Sequence, residues 1–162
     1  MNEIIQATKN YPRFNDGRVD YTNERTCFVL NCVVVCGERV LLTRRGADVI
    51  AYPNTLNGIS GFIDDTSISL DDQAKMELTE ELQMPAAILK SIKFSEPFIQ
   101  ADDTINREWH VYAGLVELTQ EFTPVLNWEN KTAEWFDIQT ARDIELMPGF
   151  SETLDTALKL RS

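Results

Sequence analysis

The stretch GFIDDTSISLDDQAKMELTEELQM, residues 61–84, decides how the rest of this chain is read. Within it Glu77, Glu80 and Glu81 are spaced i, i+3 and i+4. A helix advances about 100° per residue, so the three carboxylates fall within roughly a third of its circumference, over one turn. Leu70, Ala74, Leu78 and Leu82 run beside them in an i+4 row that would anchor the helix to a core. Ser69 is placed to cap the N-terminus, with Asp72 three residues later, and Pro85 stops the pattern near Met84. The spacing predicts a helix over 70–83.

Like charges on one helix face destabilise it by several tenths of a kcal/mol per pair unless something neutralises them. A solvated acidic face is the commonest meaning of such a run. Glu81, however, lies at the edge of the apolar row rather than opposite it, so the carboxylates should border the packed side. A hard divalent cation suits that position, because Mg²⁺ takes oxygen ligands and bridges carboxylates to substrate phosphates.

Gly61, the loop after it, the capped helix and the run Glu-Leu-Thr-Glu-Glu-Leu-Gln-Met resemble the Nudix box of the Nudix hydrolase superfamily. That pattern is Gly, five residues, Glu, seven residues, Arg-Glu, an aliphatic, any residue, Glu-Glu, any residue, Gly, an aliphatic. The resemblance implies that Glu77, Glu80 and Glu81 bind a divalent metal, Mg²⁺ or alternatively Mn²⁺. It also implies that a strand over 58–63 delivers Gly61 beside the metal, with a backbone carbonyl near Ser60 as a further ligand. Four departures stand out. Met76 replaces the Arg that orients the glutamates in the family, and Gln83 replaces the terminal Gly. The loop after Gly61 is one residue longer than the pattern, and Ser67-Ile68 stand where its first Glu is expected. Lys75 cannot substitute for the Arg, since it points about 100° away from Met76.

The composition sets bounds on everything else. A chain of 162 residues is expected to be one domain, 1–162, large enough to bury a core. With 43% hydrophobic and 25% charged residues it reads as an ordinary soluble globular protein. No apolar run is long enough to span a bilayer and Met1-Asn2-Glu3 does not open a secretory signal, so no membrane partner and a cytoplasmic location are expected. A formal charge of −11, from 15 basic and 26 acidic residues, repels nucleic-acid phosphate and argues against binding a duplex. It still admits a small anionic substrate if a metal supplies local positive charge. Cys27, Cys32 and Cys36, odd in number and strand-borne, read as buried thiols without chemistry.

Along the chain, residues 1–25 are polar, with turn signals at Tyr11-Pro12 and Asn15-Asp16-Gly17, and read as a loose lead-in or an edge strand. Thr26–Val35 and Arg39–Thr43 follow as strands, the first apolar enough to be covered on both faces. Arg44 and Arg45 come next; as surface arginines they would do nothing special, but at a strand end they could grip a diphosphate. After the helix, strands are expected over 86–94 and 107–118, with a polar hairpin tip at 100–106. His110 is expected to be packed and hydrogen-bonded. A strand over 133–137 and helices over 139–146 and 151–160 complete the pattern. Glu129 and Glu134 are ordinary surface carboxylates on sequence alone, yet the resemblance makes each a candidate base or ligand.

The fold expected is α/β: a Nudix-like α/β/α sandwich around a mixed sheet. The activity implied is a Mg²⁺-dependent pyrophosphohydrolase acting on a nucleoside diphosphate linked to another moiety. Catalysis would fall to Glu77, Glu80, Glu81, Glu129 and Glu134, with one of the box glutamates, Glu129 or Glu134 taking the proton and Arg44 or Arg45 on the far phosphate. The four departures keep a second reading open, a ligand-sensing module that retains the fold without turnover. Substrate choice would lie with loops 46–57 and 95–106 and residues around Trp128. Many family members are dimers, which leaves a homodimer open.

Overall fold

The computed structural model describes residues 1–161. Its centre is β1 (Thr26–Cys36), whose neighbours explain why nearly every residue of it is apolar. On one side β1 runs parallel to β7 (Arg107–Leu118), pairing Thr26 with Glu108 through Val35 with Glu117. On the other side it pairs antiparallel with β2 (Arg39–Arg45) and β4 (Ile59–Phe62). A two-residue turn joins β1 to β2, and Gly37, at φ +55°, takes the left-handed conformation this turn needs. Short β3 (Leu56–Asn57) and β8 (Asn130–Asp137) both pair with β2, while β5 (Leu89–Phe94) and β6 (Phe98–Asp102) pair with β7. The sheet is therefore mixed, with eight strands among the described residues.

Alternation along β1 fills two cores. Leu30, Cys32 and Val34 face α2 (Leu70–Leu82), where they meet Ala74, Leu78 and Leu82. Val33 and Val35 face α4 (Phe150–Leu158), meeting Phe150, Leu154 and Ala157, with α3 (Ile138–Asp143) alongside. Helices thus cover both faces, which is the expected α/β/α sandwich. The free thiols Cys27 and Cys32 are buried as small hydrophobes. His110 lies 3.0 Å from Glu108 through Nε2 and packs on the Phe28 ring.

Residues 1–25 differ from the loose lead-in expected of them. They form α1 (Asn2–Ala7) and a tightly held loop, with Ile4, Val19 and Tyr21 buried in the core under α2. The Tyr21 hydroxyl donates to the Ile63 carbonyl at 2.9 Å, and Arg107 donates to the carbonyls of Tyr21 and Thr22, each at 2.9 Å. The few apolar residues of this segment are spread too thinly to show a period, and long-range contacts order it instead. Among the described residues no helix is long and apolar enough to cross a membrane.

Candidate active site

The helix α2 starts where the sequence places it. The Ser69 hydroxyl accepts from the Asp72 N–H at 3.1 Å, satisfying one of the orphan donors of the first turn. It ends one residue short of expectation because Gln83 takes the left-handed conformation (φ 49°, ψ 42°) usually given to glycine. The backbone survives the lost glycine, and the carboxylate face upstream of it is intact.

The three helix glutamates meet very different surroundings. Glu81 is only 4% exposed, and its Oε2 accepts from Asn130 Nδ2 at 2.6 Å. Its Oε1 is buried and has no hydrogen-bond partner among the described residues. Burial, opposed by that hydrogen bond and aided by Glu129 and Glu77 nearby, pushes its carboxyl up to about 8. Glu77 is half-buried, and burial together with Glu80, Glu129 and Asp64 also pushes it up to about 8. Glu80 is exposed.

The Gly61 position has a steric cause. A Cβ on that residue would lie 1.9 Å from Glu77 Oε1 and 2.4 Å from its Cδ. The carboxylate of Glu77 therefore rests directly on the bare backbone of β4, and no side chain fits between them. The glycine and the first glutamate of the cluster are two halves of one contact.

Two loops complete the surroundings. The segment between β7 and β8 crosses the end of α2, where the Val125 N–H donates to the Leu82 carbonyl at 3.0 Å. It delivers Glu129, whose Oε1 accepts from Asn127 Nδ2 at 3.1 Å, to a position where it acts on both Glu77 and Glu81. Arg45, half-buried at the end of β2, interacts electrostatically with Glu81 and Glu129. Its Nε donates to the Ala51 carbonyl at 3.0 Å, which ties it to loop 46–55.

The structure separates residues that the sequence grouped. Arg44 does not share the site with Arg45, because successive strand residues point to opposite faces. It lines a cavity with Phe136, Ile144 and Leu146 on the α3 side, and donates to the Asn54 carbonyl at 2.8 Å. Glu134 is opposite Leu42 in the β2–β8 register, and Leu42 belongs to the core under α4. Glu134 is therefore on the far face of the sheet from α2, exposed, and geometry sets it aside as a base. Asn130 was not foreseen: β8 begins there, three residues before the expected strand, and nothing in Asn130-Lys131 marks a strand start. Asp64, placed just after β4 and acting on Glu77, was also missed.

Among the described residues no three His, Cys, Asp or Glu side chains form a preassembled ligand cluster. The donor set nonetheless fits a hard cation. It is all carboxylate, and the unpartnered buried Oε1 of Glu81 is an atom that a cation would satisfy.

With this geometry in view, the family described as the NUDIX domain matches residues 29–156. Among solved structures, a MutT protein from Methanosarcina mazei Go1 aligns with a TM-score of 0.66 at 11% identity, covering 85% of this chain and 96% of its own. A Nudix hydrolase from M. smegmatis, RenU, aligns at 0.66 with 14% identity, covering 93% of each chain. An Ap4A hydrolase from C. elegans, solved as a binary complex, aligns at 0.62 with 15% identity, over 82% of this chain and 96% of its own. At such identities the likeness establishes the fold. A search of curated proteins gave no match.

Proposed function

This chain belongs to the NUDIX family, and from that premise we propose that it hydrolyses the diphosphate linkage of a nucleoside diphosphate derivative with Mg²⁺, or Mn²⁺ in its place. The observation that carries the reading is Glu81, a buried carboxylate with one oxygen held by Asn130 and the other left without a donor. An orphaned buried acceptor costs about 1–3 kcal/mol, more when charged, and a bound cation removes that cost. Glu77, Glu80 and Glu81 would hold the ion. When bound, it supplies Lewis-acid polarisation of the phosphoryl oxygens and a more acidic water.

The chain's own residues divide the remaining work. Glu129 is held through Oε1 by Asn127, which leaves Oε2 to take a proton from the attacking water. Arg45, within electrostatic reach of Glu81 and Glu129 and partly desolvated, would balance charge on a phosphate that approaches the glutamates. Gly61 lets the Glu77 carboxylate approach the backbone of β4 closely, where a Cβ would displace it.

The test is release of phosphate or nucleoside monophosphate from a panel of nucleoside diphosphate derivatives, with and without Mg²⁺. Metal-dependent release that falls about tenfold or more in both Glu80→Gln and Glu81→Gln is expected. The sensor reading has one observation in its favour: position 76, an Arg in the box pattern, is a Met that is 51% exposed and touches no carboxylate through a polar atom. No release from any panel member, combined with saturable nucleotide binding, would establish that reading in place of the enzyme.

A further inference from the structure

Helix α2 offers its buried glutamate no donor of its own. Lys75 reaches Asp72 at 3.4 Å, the Thr79 hydroxyl donates to the Lys75 carbonyl at 2.7 Å, and Met76 has no polar group to offer. The hydrogen bond to Glu81 comes instead from another element, the first residue of β8. We propose that Asn130 is a positioning residue that locks Glu81 by its Oε2 and so presents Oε1 alone to a divalent cation. This inference rests on the proposed metal-dependent hydrolase.

Three features support it. Asn130 is 7% exposed and sits opposite Arg45 in the β2–β8 ladder, at the bulge that follows Arg44, so its backbone is held by the sheet rather than by a free loop. The amide NH₂ of Asn130 faces Glu81 at 2.6 Å, the direction that suits the ionised, metal-binding form of the carboxylate, which only accepts. The amide is also neutral. It orients the carboxylate without cancelling its charge, whereas a guanidinium at the same place would compete with an arriving cation. The two oxygens of Glu81 thereby acquire different roles: one is held in place, the other is buried with nothing to bind.

The experiment measures Mn²⁺ binding to the whole chain by calorimetry, without substrate. Asn130→Leu keeps the side-chain shape and removes the N–H. We expect its Kd for Mn²⁺ to rise about 10–100-fold over the native chain while its circular dichroism stays native. A folded Asn130→Leu that binds Mn²⁺ within about threefold of native overturns the inference and leaves the metal reading standing. A native chain that binds no Mn²⁺ overturns both. If Asn130→Leu does not fold, a crystal of the native chain grown with Mn²⁺ decides. The ion on Oε1 with Asn130 still bonded to Oε2 supports the inference, and the ion on Oε2, or Asn130 turned away, overturns it.

Discussion

Substituting Gly61 by Ala should separate stability from catalysis in this protein. The added Cβ would sit 1.9 Å from Glu77 Oε1, and contacts of real Cβ atoms below 3.0 Å essentially do not occur. Something must retreat by about 1 Å, the scale at which misplacement costs on the order of a hundredfold in rate. The strand is the harder part to move, because β4 is paired with β1 from Val29–Phe62 to Cys32–Ile59. The carboxylate is the end of a rotatable side chain, so Glu77 should be what yields. Gly61 is not among the glycines with positive φ, so Ala fits its backbone without strain. Ala also narrows the unfolded ensemble, which contributes about 0.4–1 kcal/mol of stability at compatible sites. Gly61→Ala should therefore keep or slightly raise the urea midpoint. Its Mg²⁺-dependent hydrolysis should fall by about a hundredfold, a barrier increase of about 2.7 kcal/mol, and its Mn²⁺ affinity should fall as well. A variant with activity and Mn²⁺ affinity within about threefold of native would refute the idea that Glu77 needs this exact seat. A large loss of stability would show that the strand moved instead.

Two further outcomes follow from the same geometry. Glu77 and Glu81 hold their protons more tightly when folded, each near 8 rather than 4.5. The folded chain therefore binds more protons than the unfolded one between those values. Without metal, stability should be greatest below about pH 4.5 as far as these two groups are concerned, and should fall by several kcal/mol as pH rises to about 8. Saturating Mg²⁺, which needs the ionised carboxylates, should offset most of that fall; urea unfolding across the range with Mg²⁺ or EDTA would check it, and a flat metal-free profile would count against the burial of these acids. The second outcome concerns the split pairs: Arg45→Ala should lower kcat/KM about tenfold or more, while Glu134→Gln should leave it unchanged. Equal losses in the two would show that the face assignment is wrong.

Much of this site was legible in one stretch of sequence because its determinants are local. The Ser69 cap, the Leu70–Leu82 row and the i, i+3, i+4 carboxylates all lie within a few turns of one helix, where spacing alone fixes direction. Arg107–Leu118 was equally plain, since it is long, rich in aromatic and β-branched residues and alternates well enough to read as a strand. The arginines were not. Arg44 and Arg45 look identical in sequence, and only the register of β2 decides that one faces Glu81 and the other the α3 cavity. Glu129 and Glu134 divide in the same way, one carried by a loop over the end of α2 and the other turned to the far face by β8. Strand parity is set by pairing with distant segments, and no local pattern records it.

The four departures from the box pattern also have unequal physical weight. Gln83 occupies a left-handed position at a cost of about 1 kcal/mol relative to glycine, and its N–H still closes onto the Thr79 carbonyl at 3.0 Å. That loss falls on stability and leaves the glutamates where they are. The longer loop and Ser67-Ile68 are absorbed upstream of the cap, where the Ser67 hydroxyl and N–H both turn onto Asp65 and α2 still begins at Leu70. Met76 is different, because it removes a charged group from the one turn that carries all three carboxylates. What replaces it does not come from the helix. Asn130 from β8 donates to Glu81, Arg45 from β2 acts on Glu81 through its charge, and the two are neighbours in one ladder. Such a support from the sheet would keep Glu81 oriented only while β8 stays paired to β2. The acid site should therefore be more sensitive to changes at the start of β8 than any reading of residues 61–84 could show.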